Sequence, residues 1–164
     1  VDLGHGFSES KIGAQFETAA RLLVAGVKVP VLKLTIKKFD THAGQEPLHT
    51  ELLTEIATSI STFAKVMKAK GLWDKVTIMS YSEFGRRPFE NNSSGSDHGT
   101  AAPHFMFGGS VKGGFYGEQS PLDDLAGVNL KYRIHFREIY ASVAREWWRM
   151  NADFIREKPL GLFS

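Results

Sequence analysis

Apolar residues recur at steps of three and four along residues 10–26: Ile12, Phe16, Ala19 and Leu23 share one helical face. The spacing predicts an amphipathic helix from Ser10 to Gly26. A stronger stripe begins at Pro47, a residue suited to a first helical position. Leu48, Leu52, Ile56, Ile60, Phe63 and Met67 predict a second helix, closing at Gly71. A third follows from Phe136, Ile139, Tyr140, Val143 and Trp147, over Phe136–Met150. Between the helices the pattern changes to short runs rich in apolar and β-branched residues. Pro30–Ile36, Val76–Tyr81, His104–Phe107 and Asn129–Ile134 read as strands. Val1–Glu9 and the tail from Asn151 carry no period, and no internal repeat is present.

Helices alternating with strands predict the α/β class, with a mostly parallel sheet covered by helices on both faces. Leu52, Ile56, Ile60, Phe63, Ile78 and Phe105 are then expected in the core. Ligands of such sheets bind beyond the carboxyl ends of the strands. Two segments leave those ends, Phe39–Gln45 and Ser82–Thr100. The second is an aperiodic stretch of about twenty residues, a length more typical of functional loops than of plain connections.

Composition narrows the chemistry. The 164 residues suit one domain, and 42% hydrophobic content supports a core. A formal charge of +2, without any basic block, gives no electrostatic footprint for nucleic acid. No apolar run is long enough for a membrane span. The absence of cysteine excludes disulfides, thiolate nucleophiles and cysteine zinc sites. The glycine-rich run Gly108–Gly117 lacks the spacing of a phosphate-binding loop. No Gly-x-Ser-x-Gly elbow supports a serine hydrolase.

The histidines are more informative, because two of the six sit beside aspartates in the strand-end loops. Asp40 and His42 alternate, so in extended backbone they aim at one point. A carboxylate and a neutral imidazole are ordinary ligands for zinc or another divalent ion. The plainer reading is a turn-capping aspartate beside an exposed histidine. Glu83 projects just past the strand Val76–Tyr81, and Asp97-His98-Gly99 puts two donor types in a glycine-flanked turn. Arg86 is placed to pair with Glu83 or to hold an anionic substrate. His49, in the first turn of the second helix, can act as ligand or as support for one. Arg87 reads as solvated surface, and His5, His104 and His135 as structural.

Taken in order, Phe39-Asp-Thr-His, Gln45, His49-x-x-Leu-Leu53, Ser82-Glu-Phe-Gly-Arg86, Asp97-His-Gly-Thr100 and Gly108-Gly-x-Val-Lys-Gly-Gly114 resemble the bacterial domain-of-unknown-function family 1501. That family is grouped with the alkaline phosphatase and sulfatase superfamily, and its members are often exported. The resemblance implies a three-layer α/β/α, alkaline-phosphatase-like fold, of which residues 1–164 form the C-terminal part of a larger domain. It implies a divalent metal, zinc first and calcium, magnesium or manganese otherwise, held by Asp40, His42, Glu83, Asp97 and His98. Arg86 would then contact an anionic ester substrate. Two departures stand out: Phe84 follows Glu83 where the superfamily commonly has histidine, and Asp40-x-His42 is shorter than the usual spacing. The superfamily nucleophile has no counterpart in this chain. The expectation is therefore the metal-binding portion of a phosphatase- or sulfatase-like hydrolase, inactive alone, periplasmic or otherwise exported, and prone to homo-oligomerise. The alternative is a non-catalytic metal- or ligand-binding domain of an exported protein.

Overall fold

The computed structural model describes residues 1–164. It divides into two compact units, Val1–Val76 with Glu90–Ser96, and Thr77–Phe89 with Asp97–Ser164. The first unit is helical. Helix α1 runs Lys11–Val24, started by Ser10, whose Oγ accepts the Gly13 N–H at 3.0 Å. Helix α2 runs Gln45–Ala69, and a 3₁₀ turn, Trp73–Lys75, follows it. The two helices pack through the predicted stripes. Phe16 and Phe63 meet edge to face at 5.5 Å, with Ile12, Ala19, Ala20, Leu52, Val66 and Met67 buried around them. Ile56 and Ile60, expected in this core, are only half-buried, because the stripe rotates toward Ser59, Val66 and Met67 as the helix proceeds.

The second unit is built from short hairpins and a C-terminal helix. Strand β1 (Thr77–Met79) pairs antiparallel with β4 (Met106–Gly108), Ile78 facing Phe107. Strand β2 (Gly85–Arg86) pairs antiparallel with β3 (His98–Gly99), and β5 (Leu125–Ala126) with β6 (Asn129–Leu130). Helix α3 spans Phe136–Ser142 and continues as a π-helical turn over Val143–Trp147.

The α/β expectation is therefore corrected. There is no three-layer α/β/α arrangement and no parallel sheet: the chain has three α-helices and three two-stranded antiparallel sheets. Helix-strand alternation was read as βαβ architecture, but alternation does not specify which strands share hydrogen bonds. Here β1 takes β4 as its partner, and no sheet contains Pro30–Ile36. That segment has β-type residues but joins no ladder. Its Thr35 N–H and C=O both bind the side-chain amide of Gln15, at 2.8 and 2.9 Å. A helix side chain thus occupies the place a neighbouring strand was expected to fill. Phe105, expected in the core, is 53% exposed, since a two-stranded ribbon cannot cover both its faces.

The aperiodic tail is an ordered clasp. Arg145 donates to the carbonyls of Glu157, Ala152 and Ile155 at 2.8, 3.0 and 2.5 Å. Glu146 accepts the N–H groups of Gly161 and Phe163, and Ser142 Oγ accepts that of Leu160 at 2.8 Å. Phe163 stacks on Trp147 at 5.4 Å and bridges to Val111. These polar contacts to backbone leave no hydrophobic period, which is why the tail reads as featureless. The predicted third helix ends early as an α-helix because the wider π turn falls where Arg145 and Glu146 take hold of the tail.

Substitutions at two residues test this packing by guanidinium chloride denaturation. Phe63→Ala should cost about 3–5 kcal/mol through the cavity left against Phe16. Arg145→Met should cost about 3 kcal/mol, because three carbonyls lose a charged donor, and Arg145→Lys should recover little, since an ammonium cannot span all three. An unchanged midpoint in either residue's variant would refute its placement.

Candidate metal-binding site

The first unit carries Asp40 and His42 on a loop whose backbone is held from three directions. Lys38, just before it, has φ +78°, a conformation that a residue with a Cβ adopts only when its surroundings impose it. Thr41 is buried, and its hydroxyl lies 2.8 Å from His49 Nε2 on the first turn of α2. His49 Nδ1 lies 3.5 Å from Gln45 Nε2, and Phe39 meets the His49 ring edge to face at 5.2 Å. Gln45 Oε1 in turn accepts the hydroxyl of buried Ser96 at 2.6 Å.

The third support is the segment Glu90–Ser96. Helix α2 begins at Gly44, which has no side chain to cap it. The carbonyls of Ser93 and Ser94 accept the N–H groups of Gly44 and Gln45 at 3.0 and 2.9 Å instead. Asn91 shapes the segment by accepting the Ser93 and Gly95 N–H groups, and its amide donates to the His42 carbonyl at 3.0 Å. Gly95 lies flat against His42: a Cβ there would sit 2.4 Å from the His42 carbonyl carbon.

On this frame the Asp40 and His42 side chains stand exposed, His42 Nδ1 lying 3.2 Å from Asp40 Oδ1. Two donors at ordinary metal-ligand distances, separated by a tetrahedral or octahedral angle, lie about 3.0–3.4 Å apart. The observed separation falls within that range. The donor types, carboxylate and imidazole, fit zinc and tolerate the harder divalent ions.

The other sequence-derived candidates belong to the second unit. Glu83 is exposed on the turn between β1 and β2. Arg86 and His98 are cross-strand partners in the β2–β3 pair, and both approach Phe84. The His98 ring stacks on Phe84 at 3.7 Å and 9°, and the Arg86 guanidinium carbon lies 5.1 Å from that ring's centre. Phe84, noted in the sequence only as a departure, thus orients two candidate residues. Gly99 is required here, since a Cβ would meet the Arg86 backbone at 2.6 Å. Asp97 does not turn toward His98. Its carboxylate takes Arg87 Nη1 at 3.2 Å, while the Arg87 N–H donates to the Asp97 carbonyl at 3.0 Å. Arg87 is accordingly the ion-pair partner of Asp97 and not plain surface. His135, read as structural, caps α3 by accepting the Arg137 N–H at 3.2 Å.

Thr41, Gln45, Asn91, Gly95 and Ser96 were not picked out as functional. Thr41 and Gln45 stand in the sequence only as members of the family motif, and for Asn91, Gly95 and Ser96 the only signal is the turn-forming composition of their loop. Gly95→Ala tests the frame directly. Its Cβ would press on backbone that cannot rotate away, so thermal unfolding should show a loss of about 1–3 kcal/mol. A neutral substitution would mean that the segment does not hold His42.

A family described as "Protein of unknown function (DUF1501)" matches residues 8–147 of the chain. No curated protein and no solved structure matches. No helix is long and apolar enough to cross a membrane. With the match running from before α1 to the end of the π-helical turn, the chain belongs to the DUF1501 family of proteins of unknown function.

Proposed function

We propose that this chain binds a divalent metal ion, zinc before manganese, magnesium or calcium, through Asp40 and His42. The observation that carries the reading is their 3.2 Å donor separation on a loop locked from beneath. An exposed ion pair contributes only about 0–1 kcal/mol to stability, so holding this one so firmly is better explained by a ligand than by folding. Of the remaining candidates, Glu83 and His98 have ligand chemistry to offer. Asp97 has its carboxylate engaged by Arg87 and is the weakest.

The wider role that fits is the metal-binding portion of a hydrolase of anionic esters, phosphate or sulfate, in an exported protein. A divalent ion supplies such a reaction with a Lewis acid and a more acidic bound water. Asp40 and His42 would serve as the metal ligands of the first unit, and Arg86, in the second unit, offers a guanidinium fork of the kind that binds anionic oxygens. No residue here has the setting of an activated nucleophile, so the chain by itself is expected to bind metal without efficient turnover. The second reading, a non-catalytic metal-binding domain, is favoured by the Asp97–Arg87 pair, which removes one carboxylate from the ligand set.

Calorimetric titration with zinc, manganese, magnesium and calcium tests the binding. Asp40→Asn and His42→Ala should each weaken zinc by about tenfold or more, while Asp97→Asn should change it little. Wild-type affinity retained in both of the first two variants would refute the assignment. Turnover of aryl phosphate and sulfate esters by the metal-loaded chain should be weak or absent. Robust turnover lost in His98→Ala would instead make this chain a complete hydrolase.

A further inference from the structure

His42, proposed above as a ligand, is also gripped by the segment Glu90–Ser96, and both lie in the first unit. The grip works through Asn91, whose side-chain amide is used at both ends. Its Oδ1 accepts the N–H groups of Ser93 and Gly95 at 2.9 and 3.1 Å, which curls the segment into a turn. The Asn91 N–H closes that turn on the Gly95 carbonyl at 2.8 Å. Its Nδ2 points the other way and donates to the His42 carbonyl at 3.0 Å. Turning the amide over would lose all three side-chain bonds, so its orientation is fixed. Gly95 presses on the same peptide: a Cβ there would lie 2.5 Å from the His42 carbonyl oxygen and 2.8 Å from the Ala43 nitrogen. Just beyond, the N–H groups of Gly44 and Gln45 reach the carbonyls of Ser93 and Ser94.

We infer that Asn91 is a positioning residue for the Asp40–His42 pair, and that metal binding is coupled to the docking of Glu90–Ser96. The inference rests on the metal-binding reading given above. An ion held by Asp40 and His42 fixes His42 through its ring, and Asn91 fixes it through its carbonyl. Both events need the same loop ordered. Whichever comes first therefore lowers the entropic cost of the second. The pair's own attraction, about 0–1 kcal/mol for an exposed contact, is too weak to order the loop by itself. Coupling of this kind is reciprocal: the factor by which the docked segment raises zinc affinity is the factor by which zinc favours docking. A turn that merely completes the start of α2 predicts neither effect.

Asn91→Asp separates the two ends of the amide. It keeps an acceptor for the Ser93 and Gly95 N–H groups, so the turn survives, but it sets a carboxylate oxygen against the His42 carbonyl where a donor stood. The added negative charge would by itself tighten a cation site, so charge and positioning predict opposite signs. Calorimetric titration with zinc is expected to give about tenfold weaker binding in Asn91→Asp than in wild type. In wild type, amide hydrogen exchange at Gly44, Gln45 and Gly95 should slow by a similar factor in saturating zinc. His42→Ala should abolish the slowing, because zinc then has no hold on that position. The exchange measurement needs no change in the turn, so it decides the matter even where Asn91→Asp fails to fold. Unchanged or tighter zinc binding in a folded Asn91→Asp, or exchange at those three amides indifferent to bound zinc, would overturn the coupling while leaving Asp40 and His42 as ligands. A wild type that takes up no zinc would overturn the metal-binding reading, and the coupling with it.

Discussion

The first unit depends on how α2 begins. A helix leaves its first N–H groups without intrahelical acceptors, and this one starts at a glycine that has no side chain to offer. Backbone carbonyls of Ser93 and Ser94 supply the acceptors, so a segment distant in sequence is needed for the helix to start where it does. Once docked, that segment brings Asn91 and Gly95 onto the His42 backbone and Ser96 onto Gln45. The Phe39–His42 loop is thereby held by bonds that an isolated α2 could not make.

This organisation separates support from chemistry. The buried or half-buried groups, Thr41, His49, Gln45 and Ser96, form the network, and the exposed groups, Asp40 and His42, are left as donors. Lys38 in a left-handed conformation costs of order 1–3 kcal/mol. The network beneath offsets that cost; the exposed Asp40–His42 pair is too weak to do so. Strain placed next to an accessible donor pair is the arrangement expected when the loop is shaped for a ligand.

The second unit uses polar contacts to do what its small strands cannot. Hairpins of two or three residues bury little apolar surface, and several large aromatics remain exposed. Arg145, Glu146 and Ser142 tie the tail to the last helical turns through its backbone. Ala141, Ser142, Ala144, Ala152, Leu162 and Phe163 are buried there as a result. Asp124 shows the same economy at the β5–β6 hairpin. Its bond with Lys131, joined by Arg133, holds its carboxyl below the usual range even on the surface.

The amino-acid sequence by itself determined the helices. Helical period is a local property, so α1 and α2 were legible to within a few residues, as was the start of α3. The residue types of Asp40, His42 and His98 single out two loops as candidates for the same reason. Strand pairing was not legible, because hydrogen-bond partners lie far along the chain and leave no period. Val76–Tyr81 and His104–Phe107 read as strands of a mostly parallel sheet, yet β1 and β4 pair antiparallel, and the Gln15 amide took the place beside Thr35. Tertiary structure also decided the roles within one loop. Residues 82–100 read as a single functional stretch, but Glu90–Ser96 serves the first unit and the flanking residues the second. Asp97 answers to Arg87 and His98 to Phe84, although nothing in their spacing distinguishes them. Backbone carbonyls that cap a helix, and a guanidinium that gathers three more, depend on where distant segments come to rest.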